Sequence, residues 1–159
     1  MVPAVSVKLH VLERTHIVPG DPAVVFDFFK DPGNLALLTP PWLNFQVREA
    51  TDASVREGTR IRYRIRWLGL PMQWVSIIEQ YREGQRFADR MLVGPYAHWF
   101  HVHTFRTVSA GVEVGDRVEY ALPLGWAGEL AHRVMVRRQL DAIFAYRTRA
   151  LIGRFGGVR

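Results

Sequence analysis

The sequence predicts an α+β domain: a curved antiparallel sheet wrapped around one long C-terminal helix, with two short helices after the first strand. Three observations carry that prediction. Residues 44–122 alternate apolar and polar between regularly spaced turn signals. Two Asp-Pro pairs stand close together near the start, and an apolar stripe at helical spacing closes the chain. At 159 residues the chain reads as one domain, 1–159, long enough to bury a core.

Taken in order, residues 6–18, SVKLHVLERTHIV, read as a strand that Pro19-Gly20 ends. Asp21 is an N-cap and Pro22 sits at the first helical position, which opens a short helix through AVVFDFFK. Asp31-Pro32 repeats the device ahead of GNLALL, and TPPW (39–42) predicts an extended exit, because a residue before proline avoids the helical region. In GTRIRYRIRWLG, the residues Ile61, Tyr63, Ile65 and Trp67 alternate with Arg60, Arg62, Arg64 and Arg66, the pattern of a half-buried antiparallel strand. Turn signals at Gly69–Pro71, Glu83-Gly84, Gly94-Pro95 and Ala110-Gly111 cut the rest into a meander of hairpins. From about Trp126 to Ile152, Val136, Leu140, Ile143, Phe144, Ala150 and Leu151 share one helical stripe, with Arg137, Arg138, Asp141 and Arg149 opposite. Arg147 falls inside the apolar stripe. A single helix cannot fill the concavity of a strongly curved sheet, so a cavity is expected between them.

Composition narrows the function classes. There is no cysteine, which excludes disulfides, thiolate catalysis and thiolate metal sites. The start shows no basic segment followed by an apolar one, no apolar run approaches the roughly 18 residues of a membrane helix, and the cytoplasm is the expected compartment. The net charge is +6, almost wholly from arginine, but the arginines alternate along strands instead of clustering. That pattern predicts a solvated face and no nucleic-acid partner.

The candidate chemistry lies in two strands. GPYAHWFHVHTF (94–105) holds three histidines among four aromatic rings, and alternation decides which can cooperate. Facing Trp99, His101, His103 and Phe105 inward leaves Thr104 and Arg106 in water and puts His98 on the other side. In GVEVGDRVEYAL the apolar face of Val112, Val114, Val118, Tyr120 and Leu122 also carries Asp116. A buried carboxylate needs a cationic or hydrogen-bonding partner, or else takes a raised pKa, and Arg147, His101 and His103 are placed to provide one. Three readings follow: a metal site of His101, His103 and Asp116; acid–base catalysis by a histidine that Asp116 tunes; or a polar cluster that orients a ligand within an apolar pocket. The third is adopted, with no cofactor and no metal expected. Trp42, Trp67, Trp74, Trp99 and Trp126 are the flat surfaces a ligand could meet, and Thr39–Trp42 is a candidate pocket mouth.

The order of elements, with FDFFKDPGNLALLTPPW, GPYAHWFHVHTF, GDRVEYALPLG and VRRQLDAIFAYRTRAL, resembles the SRPBCC superfamily. This is the helix-grip fold of START lipid-transfer domains, birch-pollen-type allergens and polyketide cyclases, and the closest resemblance is to small bacterial polyketide cyclase/dehydrase-like ligand-binding proteins. The resemblance implies an apolar cavity between sheet and helix, open toward the two short helices. It also matches Trp99, His101, His103, Phe105, Asp116 and Arg147 to the family pattern. The iron–sulfur spacing of the superfamily's oxygenase branch is absent.

The expected function is therefore binding of a small hydrophobic molecule such as a lipid, isoprenoid or polyketide-like ring. Trp67, Trp99, Phe105, Tyr120, Ile143 and Phe144 are the expected apolar wall, and His101, His103, Asp116 and Arg147 the polar end. The alternatives are a cyclase or dehydratase using His101, His103 and Asp116 as catalytic groups, or an interaction module that uses the basic face.

Overall fold

In the computed structural model, which describes residues 7–157, seven strands form one antiparallel sheet. They are β1 (His10–Val18), β2 (Gln46–Ala50), β3 (Arg60–Trp67), β4 (Leu70–Arg82), β5 (Arg86–Val93), β6 (His98–Val108) and β7 (Gly111–Ala121), in the spatial order β1-β7-β6-β5-β4-β3-β2. Strands β2 to β7 form the expected meander, and β1 closes onto the last of them. The first expected strand begins at Ser6, which lies outside the described residues; within them, pairing starts at His10.

The turns fall where glycine permits them. β3 and β4 join through Leu68-Gly69, both at positive φ (48° and 83°), which matches the twist of the flanking strands. Bulges interrupt the register of β4 on its β5 side at Val75/Ser76 and Glu79/Arg82, and each adds local bend and twist. The arginine row 60–66 lies on the outer, exposed face, while Ile61 and Ile65 are buried.

Helix α1 (Pro22–Lys30) begins as expected: the Asp21 carboxylate accepts from the Ala23 and Val24 amides at 2.8 and 3.3 Å. Asp31 caps a 3₁₀ helix, Pro32–Leu38, in the same way. The exit after it is extended only at Thr39 and Pro40. A 3₁₀ turn, Pro41–Leu43, follows, because a second proline at its first position is already set for a helical φ, and Asn44 ends it in the left-handed region.

The C-terminal helix runs as α2 (Gly125–Ala131) and α3 (Arg137–Phe155), joined without a break by a π turn over His132–Val136. Its inward stripe is the expected one: Val136, Leu140, Phe144, Arg147 and Leu151 are buried, with Ile143 and Ala150 half-buried. No helix among the described residues is long and apolar enough to cross a membrane.

Two apolar clusters fill the space between sheet and helices. One gathers under α1 around Phe26, Phe29, Phe87, Phe105 and Leu151. The other lies under the first half of α3, around Trp74, Tyr96, Val118, Tyr120, Leu140 and Phe144. The seam between them holds two histidines: Phe87 packs on His103 with ring centres 4.6 Å apart, and Phe144 on His101 at 5.5 Å.

Candidate functional site

Register brings the polar residues together. Asp89 on β5 lies directly opposite His101 on β6, and His103 lies directly opposite Asp116 on β7. Arg147 reaches the same point from α3. His101 Nε2 stands 2.9 Å from Asp116 Oδ1, His103 Nδ1 3.1 Å and Arg147 Nη2 3.2 Å. The opposite ring nitrogens turn to the second carboxylate: His103 Nε2 is 3.3 Å from Asp89 Oδ2, and His101 Nδ1 3.4 Å from the same oxygen. Two imidazoles thus bridge two carboxylates, one fully buried and the other at the edge of a cavity.

A guanidinium has donors only, so the 3.1 Å approach of Arg147 Nη2 to His103 Nδ1 is best satisfied by the acceptor they share. In that assignment Asp116 Oδ1 accepts from His101 Nε2–H, His103 Nδ1–H and Arg147 at once. Asp116 Oδ2 and Arg147 Nε have no partner among the described residues. The Arg147 guanidinium also lies over the Phe29 ring, 5.1 Å from its centre.

The electrostatics follow. Burial pushes the Asp116 carboxyl up, but Arg147 and the hydrogen bonds from His101 and His103 outweigh it and hold the group well below the carboxylate range. Of the two outcomes open to a buried carboxylate, the structure shows pairing and not a raised pKa. Burial likewise opposes charge on Asp89, and the two histidines and Trp99 keep it ionised. The histidines separate: burial and its neighbour His103 push His101 down, whereas hydrogen bonds to Asp116 and Asp89 overcome burial and lift His103 above the ordinary imidazole value.

Above this cluster lies a cavity of about 150 Å³. Its walls include Trp67, Trp74, Trp99, Ile143 and Phe144, and the 3₁₀ segments after α1 contribute Leu35, Leu38, Thr39 and Leu43. Asp89, His101, His103 and Arg147 supply the polar end; Gln139, two turns before Arg147 on α3, also lines the cavity, and its Oε1 has no partner among the described residues.

The residues singled out from sequence divide. Trp67, Trp99, His101, His103, Ile143, Phe144 and Arg147 line the cavity. Phe105, Tyr120 and Asp116 point inward but do not reach it. Phe105 is packed between Phe26 and Phe29, Tyr120 bonds through its hydroxyl to His132 Nε2 at 2.9 Å, and Asp116 stands behind the two histidines. Trp42 and Trp126 are exposed, and His98 lies on the outer side, apart from the other two. Sequence reasoning misses Asp89. A signal exists: in RFADRMLV, Asp89 alternates with Phe87 and Met91, the same polar interruption that marks Asp116.

Comparison with known proteins agrees with this architecture. The profile described as "Polyketide cyclase / dehydrase and lipid transport" matches residues 18–144. A search of curated proteins finds no significant match. Among solved structures, the protein TTHA0849 of Thermus thermophilus superimposes with a TM-score of 0.66 at 21% identity, covering 93% of this chain and 97% of that one. The di-domain ARO/CYC StfQ from the steffimycin biosynthetic pathway gives 0.69 at 16%, covering 93% of this chain and 51% of that protein. Norcoclaurine synthase of Thalictrum, in complex with a transition-state analogue, gives 0.65 at 12%, covering 95% and 99%. The fold is the helix-grip fold, and the chain belongs to the polyketide cyclase/dehydrase and lipid transport family.

Proposed function

We propose that this chain is a cytoplasmic ligand-binding domain, 1–159, which holds a small, mostly apolar molecule with its one polar oxygen group against Asp89, His101, His103 and Arg147. The observation that carries the reading is the two-ended lining of the cavity: tryptophan, isoleucine and phenylalanine on the walls, two imidazoles, a carboxylate and a guanidinium at one end. Volume sets the size. A dry cavity of roughly 150 Å³ accepts benzene, so one substituted ring fits this site as it stands. A long acyl chain requires the 3₁₀ segments to move outward.

A matched pair of probes tests this. 4-Ethylphenol and ethylbenzene share an apolar body and differ by one hydroxyl. A hydrogen bond to a charged group contributes about 1.5–3 kcal/mol, so the phenol is expected to bind roughly 10–100-fold more tightly by calorimetry. Ile143→Trp, which fills the cavity, abolishes binding of both, and Asp89→Asn narrows the gap between them. Equal affinities in the native protein, or unchanged binding in Ile143→Trp, sink the reading.

A second reading has its own support in the paired carboxylate–histidine contacts. A histidine held by Asp116 and open to the cavity has the arrangement of a general base, and the family includes cyclases. Turnover with a bell-shaped pH profile, lost in His101→Gln while 4-ethylphenol still binds, distinguishes an enzyme from a carrier.

A further inference from the structure

Two histidine–carboxylate groupings among the described residues bring potential metal-ligating atoms within 4.8 Å of one another: Asp89 with His101 and His103, and Glu129 with His10 and His132. Their geometries differ in the feature that decides coordination. His10 and His132 are stacked, with ring centres 3.6 Å apart and planes at 19°. Lone pairs lie in the ring planes, so those of two stacked imidazoles run side by side and do not converge on one ion. His10 Nε2 is also engaged by Glu129 at 2.9 Å, and His132 Nε2 by the Tyr120 hydroxyl.

In the other grouping the two rings, with centres 3.9 Å apart, are tilted by 44° and not stacked. His101 and His103 each turn one nitrogen to the buried Asp116 Oδ1, at 2.9 and 3.1 Å. In their neutral forms, donation from both rings to that oxygen leaves a lone pair on His101 Nδ1 and on His103 Nε2. Both nitrogens face Asp89 Oδ2, and a cation among the three atoms takes the place of the proton by which a charged His103 bonds that carboxylate, engaging the His101 lone pair as well. The separations, 3.4 and 3.3 Å, are long for charge-assisted hydrogen bonds, which run at about 2.7–2.9 Å. They suit a shared metal. Ligand atoms about 2.05 Å from zinc at the tetrahedral angle stand roughly 3.3 Å apart, against roughly 2.9 Å at a right angle.

The surroundings fit as well. Metal-bound histidines usually donate their other ring nitrogen to a carboxylate, which fixes the tautomer and aims the free lone pair. Here one carboxylate serves both rings, and Arg147 balances its charge. The Asp89 carboxylate is held from behind by Ser76 Oγ at 3.5 Å, itself an acceptor from Trp74 Nε1 at 3.0 Å. Two histidines at i, i+2 on β6 and a carboxylate from β5 are therefore braced on rigid strands, and all three line the cavity.

We propose that Asp89, His101 and His103 form a tetrahedral binding site for a divalent cation of the Zn²⁺ class, with Asp116 and Arg147 supporting it from behind and the fourth position open to the cavity. The sequence predicts no metal, and the metal reading set aside there used Asp116; the carboxylate ligand is instead Asp89. An ion there would act as a Lewis acid on the oxygen of a molecule in the cavity, or lower the pKa of a bound water.

The test is metal alone on protein dialysed against chelator. Calorimetry with Zn²⁺ is expected to show one equivalent bound, and Co²⁺ to give the intense visible bands of a tetrahedral centre. Asp116→Asn, which disturbs the carboxylate behind the histidines, is expected to weaken Zn²⁺ by about 10–100-fold, and Asp89→Asn and His101→Gln by more. His132→Gln leaves it unchanged. The thermal shift on adding Zn²⁺, present in the native protein and lost in the near-isosteric Asp89→Asn, guards against a variant that merely misfolds. No stoichiometric Zn²⁺, weak octahedral Co²⁺ bands, or binding that survives Asp89→Asn but fails in His132→Gln overturns the site. Metal uptake needs no organic ligand, so its failure leaves the apolar-ligand reading standing, and failure of 4-ethylphenol to bind leaves the metal site standing.

Discussion

Arg147 and Asp116 are the pair whose removal reads most directly on the fold. At 3.2 Å and an effective dielectric of about 20, their gross attraction is about 5 kcal/mol. Much of it offsets the cost of taking both groups out of water, since the Asp116 side chain has no accessible surface and Arg147 is 8% exposed. Arg147→Met keeps the bulk of the side chain and restores the apolar stripe, but it leaves Asp116 charged, with one oxygen bonded by the histidines and the other by nothing. Breaking a buried pair in this way costs about 3–5 kcal/mol, a large share of the ~5–15 kcal/mol of a typical domain. Asp116→Asn leaves the guanidinium without its counter-charge and costs about 3 kcal/mol by the same reasoning. In the double variant neither charge is orphaned, so the expected loss is about 4 kcal/mol and the coupling about 2–4 kcal/mol. The contact of Arg147 with the Phe29 ring is lost in the single and the double variant alike, and cancels from the cycle. Urea unfolding followed by far-ultraviolet circular dichroism, with chelator present and slopes compared, measures all four corners. Losses that add within about 0.5 kcal/mol refute the coupling and reduce Asp116 to a carboxylate satisfied by histidines alone.

Two further expectations follow from local chemistry. Asp21→Ala removes the acceptor for the Ala23 and Val24 amides and should cost about 1 kcal/mol by urea unfolding; a loss under a few tenths contradicts the capping role. Burial, and then the stacked ring of His10, depress His132 below its ordinary value near 6.5, with Arg137 and Lys8 acting in the same direction and Glu129 against. The unfolded chain then takes up this proton before the folded one. The contribution of His132 is thus complete above the unfolded value and lost as pH falls through it toward the depressed folded value. His132→Gln should flatten the decline of melting temperature between pH 7 and 5 relative to the native protein, and parallel declines would contradict the assignment.

Asp116 and Arg147 are legible in the sequence because each breaks an otherwise unambiguous periodicity, two on the strand and 3.6 on the helix, and unpaired burial makes them natural partners. Asp89 is harder to find. Its strand, RFADRMLV, buries Phe87 and Ala88 side by side, so alternation is blurred and an inward carboxylate does not stand out. Phe105 and Tyr120 show a different limit. Period two tells which way a side chain points but not how far along the sheet the cavity reaches, and α1 covers the one while His132 engages the other. The π turn at His132–Val136 leaves no mark on an apolar stripe that continues through it. The extended exit expected at TPPW holds for only half its length, because Pro40 and Pro41 take opposite sides of their shared preference: one keeps the chain extended and the next starts a turn.

The closure of β1 onto β7 has a consequence for how the molecule comes into being. Strand β1, made before the meander, must wait, with its inward residues Leu12 and Val18 bare, until the last strand of the meander leaves the ribosome. Arg147 emerges later still, so the carboxylate that it neutralises is synthesised before its counter-charge. Nothing shorter than nearly the whole chain can complete either the sheet or the polar end. Folding of this domain thus waits until α3 has emerged, and loss of either β1 or α3 should yield a chain that seeks partners for a bare edge and an apolar face.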